Sequence, residues 1–155
     1  MKNYSFAQVK TRTFPTIADV KHPYIFGNVK SVINVSERED ADIKALYSQL
    51  GIDYHFYPTK EECFEMNWEN IKAATKILIK NIKNEIPTVV HCIGGNNRSP
   101  MIVECAYYAL YGAHLEDEYK NQLNHLIYNN QFIGKSIEEI EYDLRSLIRS
   151  QFLSE

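Results

Sequence analysis

Three β-branched residues in a row, Thr88-Val89-Val90, run without a break into His91-Cys92-Ile93-Gly94-Gly95-Asn96-Asn97-Arg98-Ser99-Pro100, and a largely apolar stretch follows from Met101 to Tyr111. The first run, opened by Pro87, has the make-up of a short buried strand. Pro100 suits the first turn of a helix, where its missing N–H costs nothing, and Gly112 is placed to stop that helix. A strand that passes through a glycine-bearing loop straight into a helix limits the chain to a layered α/β arrangement, because the helix must cover the sheet that it leaves.

The rest of the chain repeats the alternation. Lys30 to Val35 reads as a buried strand through Val32, Ile33 and Val35. The polar loop Ser36 to Asp40 leads to a helix that carries Ile43, Leu46, Tyr47 and Leu50 at helical spacing, with Gly51 as its stop. Ile52, Tyr54 and Phe56 alternate with Asp53, His55 and Tyr57, which is strand period, and Pro58 ends the run. After a polar loop, Asn67 is placed to cap a helix whose face is Trp68, Ile71, Thr75, Leu78 and Ile82. Two more helices are expected near Leu115–Asn129 and Ser136–Phe152, the second with Ser136 and Glu139 as a capping box. The expected fold is therefore a single α/β domain over residues 1–155, with a mainly parallel central sheet flanked by helices. In such open sheets ligands bind beyond the carboxyl ends of the strands, where the Cys92 loop lies.

Composition narrows the class. The chain has 155 residues, 45% of them hydrophobic, and a net charge of -3, so no basic surface recommends a nucleic-acid partner. No segment is apolar for long enough to span a membrane, and no signal peptide is expected at Met1–Ser5. The three cysteines, Cys63, Cys92 and Cys105, are an odd and sparse set. They argue for a reducing, cytoplasmic setting and leave one cysteine free for chemistry. No cofactor is expected, and no metal, since neither the cysteines nor the five histidines fall at ligand spacing.

The chemistry is concentrated between His91 and Ser99. Backbone N–H groups of a glycine-containing loop at a helix N-terminus converge on an anion. Gly94 and Gly95 allow backbone conformations that side chains would block. The same dipoles favour a thiolate at Cys92, because helix N-termini and nearby cations lower a thiol's pKa. Arg98 offers a planar fork that matches two oxygens of a tetrahedral phosphate.

His91-Cys92, five residues, Arg98 and Ser99 together resemble the signature loop of the protein tyrosine phosphatase superfamily, with Gly95 where that pattern has glycine. The small size and the placement of the loop past mid-chain resemble the dual-specificity branch. The resemblance implies that Cys92 attacks phosphorus and that Arg98 binds the equatorial oxygens. It further implies that Ser99 assists departure of the thiolate, that His91 holds the loop by hydrogen bonds, and that Ile93, Gly94, Gly95, Asn96 and Asn97 line the phosphate cup. The family takes a proton donor from an aspartate in an aromatic-Pro-x-x-Asp pattern. Here Tyr57-Pro58-Thr59-Lys60-Glu61-Glu62 has no aspartate, and Glu61 occupies the acid position, with Glu62 as its rival and neither, both being exposed loop carboxylates, as the third reading.

The implied function is a phosphatase that hydrolyses phosphate monoesters through a cysteinyl-phosphate. Family members that act on phosphoinositides or RNA ends often carry basic residues in or beside this loop. Its uncharged interior here points to phosphorylated proteins as substrate, phosphotyrosine first. Three rival readings stay open: a phosphatase for phosphoinositide or RNA 5′ phosphate, a catalytically weak module of the same fold that binds phosphorylated ligands, and a sulfurtransferase of rhodanese type. The Arg98-Ser99 ending fits phosphate better than the last. Cys63 on the presumed acid loop is a candidate for a protective disulfide with Cys92, whereas Cys105 reads as core.

Overall fold

The computed structural model describes residues 4–60, 67–95 and 98–111. Its elements are β1 (Val9–Arg12), α1 (Ile17–Lys21), α2 (Pro23–Phe26), β2 (Ser31–Asn34), α3 (Ala41–Leu50), β3 (Asp53–Phe56), α4 (Trp68–Lys83), β4 (Thr88–His91) and α5 (Arg98–Tyr111). The strands form one sheet in the order β1-β4-β2-β3, and every pair is parallel. The expected α/β layer fold with a central parallel sheet is therefore the observed one. The two helices expected after Gly112 lie outside the described residues.

The inner strands carry the pattern that a sheet covered on both faces demands. Every residue of β2 and of β4 is buried. Successive side chains point to opposite faces, so Val32 and Val89 join Val20, Phe26, Ile43, Tyr47 and Ile52 on the side of α1–α3. Ile33 and Val90 join Ile71, Leu78, Met101, Ile102 and Cys105 on the side of α4 and α5. The helix stripe Ile71, Thr75, Leu78 and Ile82 is buried as expected. Cys105 is fully buried, and that burial pushes its thiol pKa up to about 12, which makes it an inert core residue.

β1, α1 and α2 are absent from the sequence-based expectation. Edge strand β1 is only partly covered, so its alternation is weak. α1 does have a local signal: Thr16 and Asp19 form a reciprocal capping box, with Asp rather than Glu or Gln at the third position.

Two helix ends use the same device. Gly51 follows α3 at φ 70°. Its N–H bonds the Ser48 carbonyl and the Ile52 N–H bonds that of Tyr47, a Schellman arrangement. α4 ends with the same bond pattern, Glu85 N–H to Ile82 O and Ile86 N–H to Asn81 O, but Glu85 holds the left-handed position at φ 56°. A left-handed backbone costs an L-residue with a Cβ about 1–2 kcal/mol. Glu85→Gly is therefore expected to stabilise the protein by about 1 kcal/mol or less, since glycine also loosens the unfolded chain. Chemical denaturation of the two proteins checks this.

Candidate active site

The carboxyl ends of the strands set a level row. Arg12, His91, Asn34 and Phe56 are paired in register across the sheet, and the loops that leave them form the floor and walls of the site. The Val35 N–H continues the ladder to the His91 carbonyl. The Phe14 N–H, past the end of β1, reaches the Ile93 carbonyl at 2.9 Å, so the Cys92 loop is laced to strand ends on both sides.

Cys92 lies at the foot of this loop, buried among Val35, Met101 and other core residues. Its Sγ is 3.4 Å from Ser99 Oγ and accepts from the Gly95 N–H at 3.3 Å. Burial pushes the thiol pKa up. The hydroxyl of Ser99, the backbone N–H groups of Ser99 and Gly95 and the charge of Arg98 outweigh it, and the net position is below the ordinary thiol value. These are donors at the N-terminus of α5, which begins at Arg98, where the helix dipole also favours negative charge.

Gly95 makes this possible. Its φ is 74°, and a Cβ there would lie 2.9 Å from the Arg12 carbonyl carbon and 3.0 Å from the Thr13 nitrogen. Both the backbone conformation and the closeness of β1 exclude a side chain. Thus the edge strand that the sequence pattern left out supplies one reason for the glycine that the motif requires.

Arg98 is nearly fully buried. Its Nη1 donates to the Thr59 carbonyl at 3.0 Å. Its Nε has no hydrogen-bond partner among the described residues. A guanidinium tied at Nη1 keeps its Nε–H for an oxyanion, beside a sulfur whose ionised form it favours.

His91 has a different part from a charged activator. Its Nδ1–H donates to the Cys92 carbonyl at 3.2 Å, and the ring packs edge-on against Phe14 with centroids 4.9 Å apart. Burial, helped by the charge of Arg12, lowers its pKa to about 4 against the upward pull of the Cys92 carbonyl. At neutral pH it is uncharged, so it orients the loop and adds no positive charge to the site. On the far side, Asn34 Nδ2 donates to the Arg38 carbonyl and to Tyr54 Oη, while Oδ1 accepts from the Ser36 N–H. That network pins the loop next to His91, and Arg38 stacks its guanidinium over Phe14 at 4.4 Å.

The structure thus brings together Cys92, Gly95, Arg98, Ser99 and His91. Ile93 and Gly94 lie exposed on the loop, with Ile93 42% exposed. Asn96, Asn97, Glu61, Glu62 and Cys63 lie outside the described residues. Sequence reasoning missed Thr59, Phe14 and Asn34. Only Thr59 had a local signal, its place directly after Pro58 in the aromatic-Pro segment. Among the described residues no group of three His, Cys, Asp or Glu side chains could hold a metal ion, and no helix is long and apolar enough to cross a membrane.

No protein-family model matches the chain, and no curated protein matches it. Solved structures do. The core catalytic domain of the PP-IP phosphatase Siw14 from S. cerevisiae is 15% identical, with 97% of this chain and 92% of that chain covered at a TM-score of 0.62. PTPMT1 is also 15% identical, with 98% and 99% covered at a TM-score of 0.60. Kinase associated phosphatase, solved with its catalytic-site cysteine replaced by serine, is 18% identical over 83% of this chain and 73% of that one at a TM-score of 0.59. The fold is that of the cysteine-based phosphatases related to the protein tyrosine phosphatases, as the signature loop led one to expect.

Two outcomes follow from the geometry. His91 is held neutral down to about pH 4, whereas in the unfolded chain it takes a proton near its ordinary 6.5. Its contribution is full above pH 6.5 and is lost as pH falls from there towards 4. Between pH 7 and pH 4.5 the native protein should lose about 2 kcal/mol more stability than His91→Gln, by denaturant titration at each pH. Gly95→Ala should cost about 2 kcal/mol of stability through strain and crowding and slow alkylation of Cys92 by iodoacetamide.

Proposed function

We propose that this protein is a cysteine-dependent phosphatase acting on phosphate monoesters. The observation that carries the proposal is the Cys92 sulfur, buried yet biased towards thiolate by Ser99, Gly95 and Arg98. A thiolate in an apolar pocket is costly unless it is compensated, and a compensated one beside a buried guanidinium is built for attack on an oxyanion centre. In the first step the sulfur bonds to phosphorus while the bond from phosphorus to the ester oxygen breaks. Glu61 gives its proton to the departing oxygen. In the second step water bonds to phosphorus, its proton passes to Glu61, and the sulfur leaves as thiolate, eased by the Ser99 hydroxyl. Arg98 and the loop N–H groups hold the phosphoryl oxygens throughout.

For substrate we propose a phosphorylated protein, with phosphotyrosine favoured, in a cytoplasmic setting. The uncharged loop residues from Ile93 to Asn97 and the exposed apolar Ile93 at the rim support an aryl phosphate. The match to a PP-IP phosphatase supports a highly phosphorylated small molecule as the alternative. Wild-type protein is expected to hydrolyse p-nitrophenyl phosphate, and Cys92→Ser to lose turnover by at least about a thousandfold. A phosphotyrosine peptide should have a higher kcat/KM than an inositol phosphate. Retained peptide binding with no turnover in wild type would instead mark a binding module.

A further inference from the structure

Thr59 is buried, 3% exposed, and all its polar groups are engaged. Its N–H donates to the Val35 carbonyl at 3.2 Å. Its Oγ1 accepts the Asn67 N–H at 2.7 Å and donates to the Lys60 carbonyl at 3.4 Å. Its carbonyl accepts from Arg98 Nη1 at 3.0 Å. Immediately before it, the Pro58 carbonyl accepts from Asn70 Nδ2 at 2.7 Å. Asn67 itself caps α4, its side chain accepting the Asn70 N–H. Thr59 is therefore tied on one side to Val35, just past β2, and on the other to the N-cap of α4.

A guanidinium on a long flexible stem loses considerable rotamer freedom when it is ordered, so a single bond to a loosely held carbonyl would orient it poorly. We infer that Thr59 is a positioning residue for Arg98: through its hydroxyl bond to Asn67 it fixes the carbonyl that holds Nη1, and so keeps the guanidinium beside Cys92. The inference rests on the reading of this site as an oxyanion-binding phosphatase centre. Without the hydroxyl, the bond to the Asn67 N–H is lost and Thr59 is no longer anchored to the start of α4. The Thr59 carbonyl is then free to shift. Arg98 then stands further from the sulfur, and the thiolate loses part of its electrostatic support.

Thr59→Val removes the hydroxyl with little change in shape, and Thr59→Ser keeps it. Three readouts serve: affinity for tungstate, the pH midpoint of Cys92 alkylation by iodoacetamide, and kcat and KM on p-nitrophenyl phosphate. Thr59→Val is expected to bind tungstate about tenfold more weakly, a loss of one hydrogen bond's size. Its alkylation midpoint should move to higher pH and its kcat should fall, while Thr59→Ser stays near wild type in all three. Thr59→Val indistinguishable from wild type in tungstate affinity and alkylation midpoint would overturn the inference. Thr59→Ser falling as far as Thr59→Val would do the same, since the methyl and not the hydroxyl would then matter.

Should Thr59→Val fail to fold, Thr59→Ala removes the hydroxyl and adds no bulk. Weaker tungstate binding in Thr59→Ala than in Thr59→Ser supports the inference, and equal binding overturns it. The alkylation midpoint requires neither turnover nor bound oxyanion. Wild type without turnover therefore sinks the phosphatase reading alone, while the midpoint still reads the position of Arg98.

Discussion

A cysteine sulfur inside an apolar core, its pKa drawn below the ordinary thiol value, is the constraint around which this molecule is arranged. Cys92 packs among Val35, Ile102 and Met101, where an ionised group is costly unless donors surround it. The donors come from one short segment, Gly95 to Ser99, and they reach the sulfur only because the chain turns sharply between β4 and α5. The turn is held from outside: the end of β1 presses on Gly95, Phe14 bonds the Ile93 carbonyl, and neutral His91 bonds the Cys92 carbonyl. The parallel sheet is thus more than a support. It places four strand ends in one row so that their loops can grip a single turn, the one that carries Cys92.

The polar groups at the two ends of the sheet are treated differently. At the amino end, Asn81 donates to Ser31 and Thr88, tying α4 to β2 and β4 by side-chain bonds that are satisfied internally. At the carboxyl end, Asn34, Ser36 and Thr59 are also satisfied, while Arg98 Nε is left without a partner among the described residues. Buried polar groups are nearly always paired. A donor left open beside the Cys92 sulfur is the arrangement expected of a group whose partner is a ligand.

Periodicity read the interior of the chain well, because β2, β4, α3 and α4 bury whole faces and burial writes itself into residue spacing. Val32 and Ile33, or Ile71 and Leu78, admit few other readings. It failed for β1, an edge strand only partly covered, and for α1 and α2, which are five and four residues long and each bury one residue, too short to show a period. Thr16 with Asp19 signalled the start of α1, but its aspartate falls outside the usual capping-box residue choice. The candidate site was legible to the extent that its chemistry is local. Cys92, Gly95, Arg98 and Ser99 fall within eight consecutive residues, so a single turn of chain displays them.

The amino-acid order alone determined that a strand meets a helix at a turn bearing one thiol, one guanidinium and one hydroxyl, because propensity and spacing act over neighbouring residues. Tertiary structure decided how those groups are tuned. The Thr59 carbonyl reaches Arg98 across 39 positions of chain, Arg12 and Thr13 confine Gly95 from the neighbouring edge strand, and burial holds His91 neutral. Such effects depend on distance in space and on exclusion of water, and neither is written in the order of the residues until the chain has folded.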